Sequence, residues 1–226
     1  MGDSAGVTPE SFTKEVDALR ESLLRQASLI ESQIDDALDA LRGLDPEGAD
    51  AVCRNDLTIN ELFREIRERV FRLIATCQPP LQDLRLLMGF QYIATELERI
   101  GDYAVRISRR SSILAQLPRR PLQAEFGLMG ELASQQVRGI LDALIERDAE
   151  AARRVAGRDD EIDRLYHRVF DHLVEELGSG PTNTDEALRA VTLIQVAHNL
   201  ERIGDRVTNV AEDIVFLESG QVVELG

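Results

Sequence analysis

Apolar residues recur along this chain at alternating steps of three and four. The clearest run comprises Leu86, Phe90, Ile93, Leu97, Ile100, Ala104 and Ile107, and a second run continues from Leu193 to Leu217. Such spacing places apolar side chains along one stripe of an α-helix, which is typical of helices packed in a bundle. Most of the intervening residues are good helix formers such as Leu, Ala, Glu, Arg and Gln. The pattern therefore predicts an all-α fold.

Glycine and proline divide this helical pattern into segments. They cluster near residues 43–46, 79–80, 118–121 and 178–181, and these residue types end helices. With a shorter break near residue 148, we expect six helices. Their predicted ranges are 10–43, 47–77, 81–116, 121–147, 149–178 and 183–218. Since no run of eighteen uncharged apolar residues occurs, no membrane-spanning helix is expected.

The two halves of the chain share a sequence repeat. The six residues of Leu97–Asp102 recur unchanged as Leu200–Asp205, 103 positions later, and the same shift matches Asp56 with Asp159. A repeat on this scale indicates duplication of one structural unit. We therefore predict two tandem three-helix bundles related by internal duplication, with domains at 1–118 and 119–226. We expect the two bundles to lie end to end.

The charge balance narrows the classes of function. The chain carries 26 basic and 41 acidic residues, a formal net charge of −15. Nucleic-acid binders neutralise phosphates with clustered Lys and Arg, so this class is disfavoured. The start of the chain has no signal-peptide pattern, and Cys53 and Cys77 do not form a CxxC motif. These features predict a cytoplasmic protein with reduced thiols.

The repeated segment contains pairs of carboxylate side chains. Glu98 and Asp102 are four residues apart, as are Glu201 and Asp205, so each pair projects from one helix face. By helical geometry we expect Glu98 and Asp102 to point outward, away from the apolar stripe. Adjacent like charges repel, which favours a compensating cation. Acidic pairs on an outer face are also common as ordinary solvated surface.

The middle helix of each unit carries a matching acidic element, so two stripes could face each other across a shallow groove. Fe³⁺, Mg²⁺, Mn²⁺ and Ca²⁺ prefer such oxygen ligands. The candidate ligands are Asp159, Asp163, Glu201, Asp205, Asn209 and Glu212 in the second unit, and Asp56, Asn60, Glu98 and Asp102 in the first. His167 and His198 border the second set. The sequence has no Gly-rich phosphate loop, GxSxG motif or Cys–His pairing, so we predict no catalytic residues and no enzyme.

The tandem motifs Leu97–Asp102 and Asn199–Asp205, with Asp159 and Asp163 upstream, resemble those of the PhoU family. The resemblance covers residues from about Phe12 to Leu217. It implies multinuclear metal sites on the bundle surface, with iron as the expected metal and Zn, Mg, Mn or Ca as alternatives. It also implies a cytosolic adaptor of the phosphate ABC transporter ATPase and its sensor histidine kinase. Such an adaptor represses the phosphate-starvation response when phosphate is plentiful. Homodimerisation is left open.

The first unit departs from the family pattern. Arg106 and Arg109 stand where the second unit has Asn209 and Glu212, and Asn60 replaces an acid. Guanidinium groups beside Glu98 and Asp102 could neutralise that groove without metal. We therefore hypothesise that the second bundle binds metal and the first binds it weakly or not at all. Two other functions stay open: a metalloprotein with its own hydrolytic or iron-handling chemistry, and an accessory protein of another phosphate transporter.

Overall fold

The computed structural model describes residues 9–180 and 183–226, and within these ranges the only regular elements are helices. They are α1 (Pro9–Gly43), α2 (Pro46–Cys77), α3 (Leu81–Ala115), α4 (Ala124–Glu146), α5 (Ala149–Ala156), α6 (Asp159–Gly178) and α7 (Thr184–Ser219). The prediction of one helix over residues 149–178 is wrong. Gly157 ends α5, since glycine is a poor helix former, and α6 begins two residues later.

The duplication extends to the helix caps. Asp45 and Asp148, 103 positions apart, are the N-caps of α2 and α5, and each side chain accepts hydrogen bonds from backbone N–H groups of the following turn. An Asp in this position satisfies donors that the helix itself leaves unpaired. The two units therefore share local structure as well as sequence.

The two bundles lie side by side, so the end-to-end arrangement is wrong. Helix α3 packs against α7, and α1 against α4. Both pairs are antiparallel: at the α3–α7 contact Gly89 lies against Leu217, and at the α1–α4 contact Gly130 lies against Leu38. One hydrophobic core runs through both bundles. Glycine at these contacts lets the helix backbones approach closely, because no Cβ intervenes.

Helices α3 and α7 form the centre of the molecule. Each has about twice as many buried residues as α2, because each packs within its own bundle and also against the other. Ala94, Gly101 and Val105 are buried in α3 although they lie outside the predicted apolar stripe. The stripe in the sequence therefore describes only one of the two buried faces of each central helix.

A polar cluster is set into this apolar contact. The carboxylate of Glu96 on α3 accepts hydrogen bonds from Arg99 at 2.7 Å and from Arg206 and Asn209 of α7 at 3.0 Å each. The side chains of Glu96 and Arg206 are only 11% and 14% exposed. Burial and the nearby charge of Glu96 raise the pKa of Asp213 to about 7. We call Glu96, Arg99, Arg206 and Asn209 the inter-bundle ion cluster.

Replacing Glu96 by Ala should destabilise the protein by about 3 to 5 kcal/mol, because the buried Arg206 guanidinium loses its carboxylate partner. Urea unfolding measures this effect. Glu68→Ala, which removes an exposed carboxylate from α2, is the matched control and should change stability by less than about 0.5 kcal/mol. Equal unfolding midpoints for the two variants would show that the cluster contributes nothing to holding the bundles together.

Candidate metal centre

Four carboxylates gather where α6 begins beside the middle of α7. Asp159 and Asp163 lie in the first two turns of α6, and Glu201 and Asp205 lie on the facing side of α7. We call these four residues the second acidic cluster. A methyl group at Gly204 would overlap the Asp159 carboxylate, so the glycine allows this side chain to reach the α7 backbone.

Burial and mutual repulsion change the acidity of these groups. Burial, together with the charges of Asp163 and Asp205, raises the pKa of Asp159 to about 6. Burial and the charge of Asp205 raise the pKa of Glu201 to about 7. The side chains of Glu201 and Asp205 are 20% and 25% exposed, whereas that of Asp102 in the first bundle is 45% exposed. A cation would relieve the repulsion.

Gln136 of α4 completes this site, and sequence reasoning missed it. Its side chain is 2% exposed, and its Oε1 lies beside Gly204. Four buried oxygens here have no hydrogen-bond partner: Gln136 Oε1, Asp159 Oδ1, Asp163 Oδ1 and Glu201 Oε2. Buried polar atoms are rarely left unpaired, so this donor set fits a hard cation. The signal was available in the repeat, because Gln33 and Gln136 are identical and 103 positions apart.

Arg202 and two histidines border the second acidic cluster. Arg202 donates to Asp205 and, at 3.4 Å, to the Tyr103 hydroxyl of the first bundle. His198 Nδ1 lies 3.3 Å from Glu201 Oε2, but burial and the charge of Arg202 lower the His198 pKa, which favours the neutral ring. His167 Nδ1 lies 2.8 Å from the Asp163 carbonyl oxygen.

In the present side-chain conformations the carboxylates of the second acidic cluster do not form a set of metal ligands. Among the described residues, no three side chains of His, Cys, Asp or Glu are placed to hold one metal ion. Arg202 also donates a hydrogen bond to Asp205. Binding a cation therefore requires side-chain rotation.

The structure does not bring Asn209 and Glu212 into the second acidic cluster, and their role as metal ligands stays a prediction. Asn209 donates to Glu96 in the inter-bundle ion cluster. Glu212 accepts a hydrogen bond from the backbone N–H of Leu225. A helix rises about 1.5 Å per residue and turns about 100°. Residues eight and eleven positions beyond Glu201 are therefore displaced by roughly 12 and 16 Å along the axis.

In the equivalent site of the first bundle Asp56 is hydrogen-bonded internally, whereas Gln33 Oε1 is buried without a hydrogen-bond partner, as Gln136 Oε1 is in the second. Asp56 accepts hydrogen bonds from the side-chain amides of Gln33 at 3.1 Å and Asn60 at 2.7 Å. Burial and the charge of Asp102 raise the pKa of Glu98, and burial and Asp56 raise that of Asp102. We call Asp56, Glu98 and Asp102 the first acidic cluster. It has three carboxylates, one fewer than the second acidic cluster.

The expected neutralisation by arginine is weaker than the sequence suggested. Arg106 approaches Asp102 only to 4.0 Å, and its guanidinium lies 4.9 Å from the centre of the Tyr103 ring. The charges of Arg106 and Arg109 both lower the Asp102 pKa, but burial and the charge of Asp56 outweigh them, so this pKa is still raised. The Asn60 amide, which stands where the second unit has Asp163, therefore distinguishes the first site from the second more than the two guanidinium groups do.

Together these features define a class of protein: a duplicated helical bundle with an acidic cluster at the equivalent place in each half. The family model described as "PhoU domain" matches residues 23–111 and 126–214, so the chain belongs to the PhoU family. The two matches are offset by the same 103 residues as the internal repeat.

Relatives resemble the chain over nearly its full length. A "phosphate-specific transport system accessory protein PhoU homolog" of Clostridium acetobutylicum is 34% identical over 220 residues, 97% of this chain and 99% of the relative. The protein of the same description from Aquifex aeolicus is 35% identical, covering 93% and 94%.

Solved structures agree with this assignment. The crystal structure of PhoU from Pseudomonas aeruginosa matches with a TM-score of 0.88 at 34% identity, covering 93% of this chain and 100% of that one. The phosphate transport system regulatory protein PhoU from Streptococcus pneumoniae has a TM-score of 0.85 at 26% identity, with coverage of 95% and 100%. The all-α fold of two duplicated bundles is confirmed, and no helix in the described part of the chain is long and apolar enough to span a membrane.

The stability of the metal-free protein should fall as the pH rises from about 5 to about 7. Asp159 and Glu201 have folded pKa values of about 6 and about 7, above their ordinary values of 3.8 and 4.5. The folded state therefore binds more protons in this interval, and its advantage is lost as these groups ionise. Urea midpoints measured with a chelator present report the effect. The double variant Asp159→Asn/Glu201→Gln should show a smaller decrease, and an unchanged decrease would contradict the assignment.

Proposed function

We propose that this protein is a cytoplasmic negative regulator of phosphate uptake and of phosphate-starvation signalling. It acts through contacts with the ATPase of the phosphate ABC transporter and with a sensor histidine kinase, and not by catalysis. Membership of the PhoU family supports this role. Relatives named as accessory proteins of the phosphate-specific transport system support it as well.

The second acidic cluster is the proposed cation site, with Gln136, Asp159, Asp163, Glu201 and Asp205 as its oxygen ligands. The observation that carries this proposal is the group of four buried oxygens without hydrogen-bond partners. A bound metal would supply positive charge to offset the repulsion between the carboxylates. Iron is the metal proposed from the family resemblance, with Zn, Mg, Mn and Ca as alternatives.

Cation binding should be unequal in the two bundles. In the first, Asn60 and Gln33 already donate to both oxygens of Asp56. In the second, Asp163 stands in place of Asn60 and adds a charge, so the four carboxylates lack a comparable internal donor set. Arg202 offsets part of this charge through Asp205. The binding site would link α4, α6 and α7, and so could stiffen the second bundle.

Asp205→Asn and Asp102→Asn are a matched pair, since the two residues are equivalent in the repeat. After dialysis against ferric iron or Mn²⁺, elemental analysis should show at least tenfold weaker binding for Asp205→Asn, because a ligand charge is lost. Asp102→Asn should retain nearly all of the metal. Equal loss from both variants would contradict the asymmetry, and no metal in the wild type would contradict the site.

The regulatory role can be tested in cells of the source organism grown with ample or scarce phosphate. Affinity capture of the full chain from phosphate-replete cells should recover the transporter ATPase or the sensor kinase. Deleting the gene should raise expression of phosphate-starvation genes under ample phosphate. If neither component is captured in either condition and expression is unchanged, the adaptor role is wrong.

A further inference from the structure

An open groove of about 570 Å³ lies where α1 ends and the segment 116–123 leads into α4. Arg42, from the last turn of α1, and Arg119 and Arg120, from the connecting segment, line it together with Gln123 and Ala124. We call it the linker groove. Three guanidinium groups gathered in one groove are unexpected on a chain with a net charge of −15. The groove is also separate from both acidic clusters.

The three arginines differ in the ion pairs that they form within the protein. Arg42 donates to Asp39, and Arg120 pairs with Glu186 of α7. Arg119 forms no ion pair within the described part of the chain; its Nη2 approaches only the Gly43 carbonyl oxygen, at 3.4 Å. The Arg119 guanidinium is therefore available to an additional acceptor.

A fourth arginine lies behind the connecting segment. Arg189 of α7 is 7% exposed, and its Nη2 donates to the carbonyl oxygens of Arg120 at 2.9 Å and Pro121 at 3.4 Å. Its Nη1 is buried without a hydrogen-bond partner. Burial and the charge of Arg120 lower the Arg189 pKa, opposed only by the charge of Glu176. The positive charge of Arg189, which lies behind the groove, is therefore only partly offset by acidic groups.

The start of α4 adds to the positive potential. Its N-cap, Gln123, makes no side-chain hydrogen bond to the first turn, and Ala124 and Gly127 of that turn line the groove. The N-terminal end of a helix carries unpaired N–H groups and partial positive charge. The acidic Glu125 in the same turn is not among the residues that line the groove.

We propose that the linker groove binds a phosphate group, with Arg119 as the principal ligand and Arg42 and Arg120 as flanking ligands. Guanidinium groups match phosphate oxygens in charge and in forked hydrogen-bond geometry. The groove is open, so it can admit either inorganic phosphate or a phosphate monoester. This inference goes beyond the proposed function and does not depend on the acidic clusters. It gives the protein a direct means of responding to phosphate.

Titration calorimetry on the full-length protein, with a chelator present and at fixed ionic strength, tests the proposal. Inorganic phosphate and phenyl phosphate are the two probes, so free and esterified phosphate are compared directly. Wild-type protein should bind at least one of them saturably. Arg119→Ala should weaken binding about tenfold, consistent with loss of a charge-assisted contact.

Two further variants act as controls. Arg72→Ala removes an exposed guanidinium from α2, remote in sequence from the groove residues, and should leave the affinity unchanged. Arg119→Lys should recover part of it, because charge is restored without the forked geometry. Absence of saturable binding by the wild type, or equal weakening in Arg119→Ala and Arg72→Ala, would overturn the proposal. Neither result would bear on cation binding or on capture of the transporter components.

Discussion

The antiparallel packing of α3 against α7 is the contact on which the rest of the structure depends. It joins two duplicated bundles into one core, and it places the repeated Glu–Arg–Ile–Gly–Asp segments close to each other in the middle of the molecule. Burying both faces of these helices removes much apolar surface from water, which is the main source of folding free energy. The inter-bundle ion cluster adds directional contacts, and these specify how α3 sits against α7.

The same packing explains why the acidic clusters have unusual chemistry. The spacing shared by the two repeats would put Glu201 and Asp205 on an ordinary solvated face if α7 stood alone. Because α4 and α6 close over that face, the carboxylates are partly buried beside Gln136 and Asp159. Burial weakens screening by water, so the repulsion between the carboxylates raises their pKa values. Keeping such groups in the folded protein costs free energy, and a bound cation would reduce this cost.

Duplication has also allowed the two halves to differ. Asn60 and Asp163 occupy equivalent positions; the Asn60 amide donates to Asp56, whereas Asp163 adds a charge and a buried oxygen without a hydrogen-bond partner. A second difference lies in the connection between the bundles, where Arg119 and Arg120 face the N-terminal end of α4. The protein thus carries an acidic region and a basic groove at separate places, and these suit ligands of opposite charge.

The sequence alone determined the helical class, the duplication, the breaks between most helices and the carboxylates of the second acidic cluster. These are local properties: spacing along a helix, glycine and proline at helix ends, and identity at a fixed offset. Only the tertiary structure placed the bundles side by side and put Gln136 beside the second acidic cluster. It also gave Asn209 and Glu212 their contacts with Glu96 and with the backbone of Leu225. Those outcomes depend on which helices meet and at what height along their axes, and the periodicity of one helix contains no information about the position of its neighbour.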